Sequence, residues 1–160
     1  MAAPANVAAT LVQGTTNWTL TFQNGEQRLF NIASTQLVAI IDRNGNTTQL
    51  SYDSLNRLTT VTDPASRHLY FGYGSGINLV TSVTSDFGES VSYSYDSLGR
   101  LSQVTESDAS TLSFQYDSNS FISAVLDSNN KILEAHTYDS SGRGLTSTRA
   151  NGVDAVTISY

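Results

Sequence analysis

The chain has no cysteine, one methionine, one lysine (Lys131) and two prolines, and only 14% of its 160 residues are charged. Without thiols it can have no disulfide framework, cysteine nucleophile or thiolate metal site. Eight basic residues against fourteen acidic ones leave a net charge of −6, which gives no footprint for nucleic acid or an anionic membrane. No apolar run reaches membrane-spanning length, so membrane insertion is not expected. Met1 to Pro4 is small and apolar but lacks the basic start and long hydrophobic middle of a signal peptide. Helical periodicity is missing too, because no stretch sustains a 3.6-residue repeat.

What the chain does have is repetition. Tyr52, Tyr73, Tyr95, Tyr116, Tyr138 and Tyr160 recur at intervals of 21, 22, 21, 22 and 22. Four of them open related phrases: Tyr52-Asp53-Ser54-Leu55-Asn56-Arg57-Leu58, Tyr95-Asp96-Ser97-Leu98-Gly99-Arg100-Leu101, Tyr116-Asp117-Ser118-Asn119-Ser120-Phe121-Ile122 and Tyr138-Asp139-Ser140-Ser141-Gly142-Arg143-Gly144. A fixed period of this length marks a stacked array, in which function belongs to the array rather than to one catalytic pocket.

Ahead of each tyrosine the apolar residues alternate, as in Leu69, Phe71 and Tyr73 or Val91, Tyr93 and Tyr95, which is the period of a half-buried strand. The Asp-Ser-Leu-Gly that follows reads as a type I turn closed by a left-handed residue. Gly99 and Gly142 supply that positive φ without a Cβ clash and Asn56 tolerates it, whereas Ser120 is a poorer fit and predicts a distorted turn. A second strand follows, carrying Leu58 and Val61, Leu101 and Val104, or Ile122 and Val125, so each repeat is one β-hairpin. Asp42-Arg43-Asn44-Gly45, Asp63-Pro64-Ala65-Ser66, Asp86-Phe87-Gly88, Asp127-Ser128-Asn129-Asn130 and Asn151-Gly152 read as the turns joining one repeat to the next. Trp18 to Phe30 reads as a further hairpin turning at Asn24-Gly25. The predicted fold is all-β, an array of antiparallel hairpins forming a twisted, spiralling sheet. Residues 1–29 form an N-terminal strand and hairpin, and residues 30–160 hold about five to six repeats in one continuous domain. The last strand is expected at Val156 to Tyr160. Its free edge is expected to pair with Val7 to Val12 or to drive self-association.

The Tyr-Asp-x-x-Gly-Arg-Leu phrase, matched in full from Tyr95 to Leu101, resembles the YD-repeat or Rhs-repeat family of bacterial Rhs proteins, toxin-complex shell subunits and teneurin receptors. The resemblance covers roughly residues 30 to 160 and implies a spiralling sheet that in long members closes into a hollow shell around a toxin. Five or so repeats are too few to close such a shell, so the chain is expected to be an excerpt or a short relative. It further implies a secreted or cell-surface bacterial protein whose partners are neighbouring repeats or a toxin or effector cargo. Asp63-Pro64 invites comparison with the self-cleaving Asp-Pro boundary of Rhs proteins, but Ser66-Arg67 stands where Gly-Leu should follow, and a proline turn is the better reading.

In such an array the tyrosines are expected to be buried and stacked on one another as a ladder. Asp53, Asp96, Asp117 and Asp139 would accept N–H bonds in their own turns, and Arg57, Arg100 and Arg143 would bridge turns or stack on an aromatic ring. No catalytic group, cofactor or metal is expected. His68 and His136 stand at non-equivalent offsets, Asp42-Arg43-Asn44-Gly45-Asn46 lacks the distal glutamate of a calcium loop, and no Gly-x-Ser-x-Gly elbow presents a nucleophile. The alternative to a structural segment is an adhesion module. It would bind a glycan or a protein through Trp18, Tyr70, Phe87 and Phe121 on the sheet face away from the core.

Overall fold

The computed structural model describes residues 8–76, 78–149 and 152–160, with only the backbone described at Val153. Among these residues there are fifteen β-strands and no α-helix. The chain forms two compact units, Met1–Gly88 and Glu89–Tyr160. The first contains β1 (Ala9–Gln13), β2 (Asn17–Phe22), β3 (Gln27–Asn31), β4 (Leu37–Ile41), β5 (Thr47–Tyr52), β6 (Leu58–Thr62), β7 (His68–Tyr73) and β8 (Val80–Ser85). The second contains β9 (Ser90–Tyr95), β10 (Leu101–Thr105), β11 (Thr111–Tyr116), β12 (Ile122–Leu126), β13 (Ile132–Tyr138), β14 (Gly144–Arg149) and β15 (Val153–Thr157). Within each unit every strand pairs antiparallel with the next in sequence.

Strands end at Phe22, Tyr52, Tyr73, Tyr95, Tyr116 and Tyr138, as the alternation predicts, and Trp18 pairs with Phe30 across the Asn24-Gly25 turn. The expected final strand is corrected: β15 ends at Thr157, and beyond it Ile158 donates its N–H to Leu145 O at 2.8 Å. Along that edge β15 pairs with β14. Val7 and Asn151 lie outside the described residues.

Directly opposed residues share a face. In the first unit Leu50, Val61 and Leu69 oppose one another in turn, and Phe71 opposes Val83. In the second, Tyr93, Val104 and Leu112 do the same, and Phe114 opposes Val125. The repeat tyrosines lie on this apolar face, and the other face is mostly serine, threonine and glutamine. Among the described residues of each unit, every strand packs on its sequence neighbours. The described hydrophobic residues that become buried are Ala39, Ala124 and Leu126. The burial expected of the repeat tyrosines is corrected accordingly: Tyr52, Tyr73, Tyr95, Tyr116 and Tyr138 are half-buried and Tyr160 is exposed.

Many of the turns share one construction. In those led by Asp42, Asp53, Asp63, Asp96, Asp117, Asp127 and Asp139, the aspartate donates its N–H to the carbonyl four residues on and accepts the N–H of the residue three on, which has positive φ; Phe22 and Glu106 lead turns with the same backbone bonds. The aspartate Oδ1 accepts the N–H groups of the residues two and four ahead, for instance Leu98 and Arg100 on Asp96, both at 2.9 Å. Asp53, Asp117 and Asp139 build this turn in the other repeat phrases. Asp42, Asp63 and Asp127 build it at the opposite edge. Gly99, Gly142 and Asn56 have φ of 76°, 78° and 63° as expected. The distortion expected at Ser120 is absent: its φ is 68°, and its N–H reaches Asp117 O at 3.1 Å. The hydrogen bonds that Asp117 gathers hold a serine where glycine would sit without strain.

Candidate functional site

The residues of the Tyr-Asp phrase meet in a recurring link between one hairpin and the next. Asp53 Oδ2 accepts Arg57 Nε at 2.8 Å, Arg57 Cζ lies 4.5 Å from the Tyr73 ring centre, and the Tyr73 hydroxyl donates to Leu58 O at 2.9 Å. Asp96, Arg100 and Tyr116 repeat it, with Arg100 Nε 2.7 Å from Asp96 Oδ2, 4.3 Å from guanidinium to ring and 2.7 Å from hydroxyl to Leu101 O. Asp139, Arg143 and Tyr160 do so again, at 2.7, 4.3 and 3.1 Å. In the remaining phrase Phe121 takes the arginine's place, 4.8 Å from the Tyr138 ring, and the Tyr138 hydroxyl donates to Ile122 O at 2.9 Å. Tyr52 likewise donates to Leu37 O at 2.8 Å.

This geometry corrects the expected tyrosine-on-tyrosine ladder. Tyrosines one period apart are separated by two strand spacings, about 9.6 Å, whereas stacked rings sit about 4.5–7 Å apart. A planar group must fill the gap, and Arg57, Arg100, Arg143 and Phe121 do so from the start of the intervening strand. Of the two roles expected of the arginines, each covers the next ring, while its ion pair stays with the aspartate of its own turn. Arg100 Nη1 also reaches Ser120 Oγ in the next turn at 3.0 Å.

The N–H of Arg57, Arg100 and Arg143, helped by each guanidinium, holds the carboxyls of Asp53, Asp96 and Asp139 below the ordinary range. At Asp63 the Arg67 side chain is the main cause of the same downward shift. Burial pushes the Tyr52 and Tyr95 hydroxyls up.

Of the four aromatics of the adhesion alternative, Trp18, Tyr70 and Phe87 belong to the first unit and Phe121 to the second. Trp18 is half-buried opposite Phe30 on the same face as the repeat tyrosines, not on the face away from them. Tyr70 is on the Ser/Thr face, stacked on His68 at 5.6 Å and bonded to Asp86 Oδ1 at 3.0 Å. Phe87 is 75% exposed in a turn, and Phe121 lies against Tyr138 and over Gly142. His136 approaches Glu134 at 3.6 Å. Among the described residues no three metal-ligating side chains cluster. In the Asp42 turn, Oδ1 accepts two backbone N–H groups and Oδ2 the Asn46 amide, so its oxygens are already engaged.

The repeat is also recognised at family level. The family model described as Teneurin YD-shell matches residues 11–159. The chain belongs to the teneurin YD-shell family. Among solved structures, the Photorhabdus luminescens Tc holotoxin pore superposes with a TM-score of 0.63 at 15% identity, over 89% of this chain and 9% of that one. The TcdB2-TccC3-TEV crystal structure gives 0.59 at 12% identity over 95% of this chain and 11% of its own. TcdB2-TccC3 without its hypervariable C-terminal region gives 0.54 at 13% identity over 89% and 10%. These likenesses establish the fold. The YD-shell chain spans about a tenth of each of these structures. No curated protein sequence matches it.

Proposed function

We propose that the chain is a structural segment of a β-shell or stalk, part of a secreted or surface bacterial protein that encloses or carries a toxin or effector domain. The observation that carries this reading is the Asp–Arg–Tyr link. It spends the conspicuous side chains of the repeat on joining hairpins, and the family match and the Tc-toxin fold neighbours are what such an array resembles. Its partners in this reading are adjoining repeats and a cargo domain, and its role is not catalytic. Within the first unit Trp18 lies on the face of the repeat tyrosines and Tyr70 on the Ser/Thr face, which does not support the adhesion alternative.

Limited proteolysis of the intact parent protein tests the proposal. A cargo segment should resist protease while the shell is folded and become cleavable once the shell is opened by denaturant. Equal cleavage in both states would overturn the reading.

A further inference from the structure

The edge opposite the Tyr-Asp phrases has turns with similar backbone bonds, and among the described residues no arginine–tyrosine link joins them. In the first unit, His68 is the first residue after the Asp63–Arg67 turn. Its backbone N–H donates to Asp86 Oδ2 at 2.7 Å, its Nδ1 lies 2.9 Å from the same oxygen, and the Tyr70 hydroxyl holds Oδ1 at 3.0 Å. In the second unit, Thr111 is the first residue after the Glu106–Ser110 turn, and its N–H donates to Ser128 Oγ at 2.7 Å. Asp86 and Ser128 hold the same place, second in the four-residue turns 85–88 and 127–130, and the bonds span 18 and 17 residues. Each ties one turn to the next turn along the edge.

The choice of acceptor follows local charge. The turn that Asp86 fastens carries Arg67 and leads into His68, which favour a carboxylate. The turn that Ser128 fastens carries Glu106 and Asp108, beside which a neutral hydroxyl avoids like-charge repulsion. Place alone is not enough, since Ser107 stands second in its turn and makes no such bond among the described residues.

Among the described residues two turn pairs in the first unit lack the tie. Gln27 follows the Phe22–Glu26 turn, and the residue second in the next turn is Arg43, which has no acceptor side chain; the Asp42–Asn46 turn begins the other pair. Thr47 follows the Asp42–Asn46 turn as His68 and Thr111 follow theirs, and the residue facing it in the next turn is Pro64, which has no acceptor side chain. There the two turns enclose an open recess of about 430 Å³ lined by Thr47, Gln49, Thr62, Asp63, Pro64 and Ser66. Proline presets the backbone of its own turn at the cost of the bond to its neighbour.

We infer that Asp86 and Ser128 are side-chain locks that fasten successive turns along this edge, and that Pro64 leaves the Thr47 seam unlocked. The locks position turns and have no part in the arginine–tyrosine columns.

Amide hydrogen exchange on the full chain tests this residue by residue. His68 and Thr111 should be protected and Thr47 should exchange faster than either. Asp86→Ala should speed exchange at His68 roughly tenfold, and Ser128→Ala should do the same at Thr111, each leaving the other amide unchanged. Asp86→Asn keeps an acceptor and should retain part of the protection. Pro64→Ser should slow Thr47. The proposal is overturned if Asp86→Ala leaves His68 unchanged or speeds the whole unit uniformly, or if Pro64→Ser leaves Thr47 as fast as before. Should Asp86→Ala fail to fold, the Ser128→Ala and Pro64→Ser results decide alone.

Discussion

The neighbouring turns Asp96–Arg100 and Asp117–Phe121 share one backbone and differ in chemistry. Both close with the aspartate N–H on the fourth residue's carbonyl at 2.9 Å, and both place a left-handed residue third, Gly99 at φ 76° and Ser120 at φ 68°. The first then sends a guanidinium over Tyr116, the second a phenyl ring over Tyr138. Two things are constant: an aspartate that gathers its own turn's N–H groups, and a flat group spanning the gap between tyrosines. Charge on the spacer and glycine in the turn are variable.

The largest expected effect removes the ring that the Arg100 spacer covers. Tyr116→Ala deletes a half-buried ring and the hydroxyl donated to Leu101 O, and should cost about 2–3 kcal/mol, less than the roughly 3–5 for a fully buried aromatic. Chemical denaturation measures it, and a loss under about 0.5 kcal/mol would mean the ring is not part of the link.

Next is the contact beneath Phe121. A Cβ on Gly142 would lie 2.7 Å from Phe121 Cζ at a φ of +78°, whereas Gly45, at φ +86°, has nothing within 4 Å. Gly142→Ala should therefore cost more than Gly45→Ala, about 2 against about 1 kcal/mol. Equal costs would show that Phe121 moves aside freely.

Acid should weaken the turns through their aspartates. The carboxyls of Asp53, Asp96 and Asp139 are held below the ordinary range when folded, so their stabilisation is complete above the unfolded-state value, about 3.9. It is lost as pH falls through the lower folded-state values. The thermal midpoint should be level with respect to these groups from pH 7 to 5 and fall below about pH 4. A midpoint that rises on acidification below pH 4 would contradict the turn construction.

A smaller and opposite effect is expected at the serine. Ser120→Gly should stabilise by up to about 1 kcal/mol by removing the left-handed strain while keeping the backbone bonds. Destabilisation would mean that the Arg100 bond to Ser120 Oγ outweighs the strain.

Much of this fold is visible in the sequence. The alternation ending in Tyr52, Tyr73, Tyr95, Tyr116 and Tyr138 fixes the strands, and Gly99 and Gly142 mark the left-handed turn positions. Ser120 misleads because local propensity ignores the hydrogen bonds that Asp117 gathers around it. The spacer is hidden because a 22-residue period reads as one step when it is two strands wide; strand spacing alone would have exposed the gap. The turns at Asp42, Asp63 and Asp127 are copies of the Tyr-Asp turns at half the period, a signal present as Asp followed three residues later by Gly, Ser or Asn. The end of β15 at Thr157 is not legible, since Val156 and Ile158 continue the strand pattern beyond it.

The central claim is that the arginine belongs to the ring of the following repeat as well as to its own aspartate. A double-mutant cycle on Arg100→Ala and Tyr116→Ala, read by chemical denaturation, measures this directly. The link predicts a coupling of about 0.5–1 kcal/mol, with Arg100→Ala costing less once Tyr116 is gone. Strictly additive losses would contradict it, leaving Arg100 as a partner of Asp96 alone.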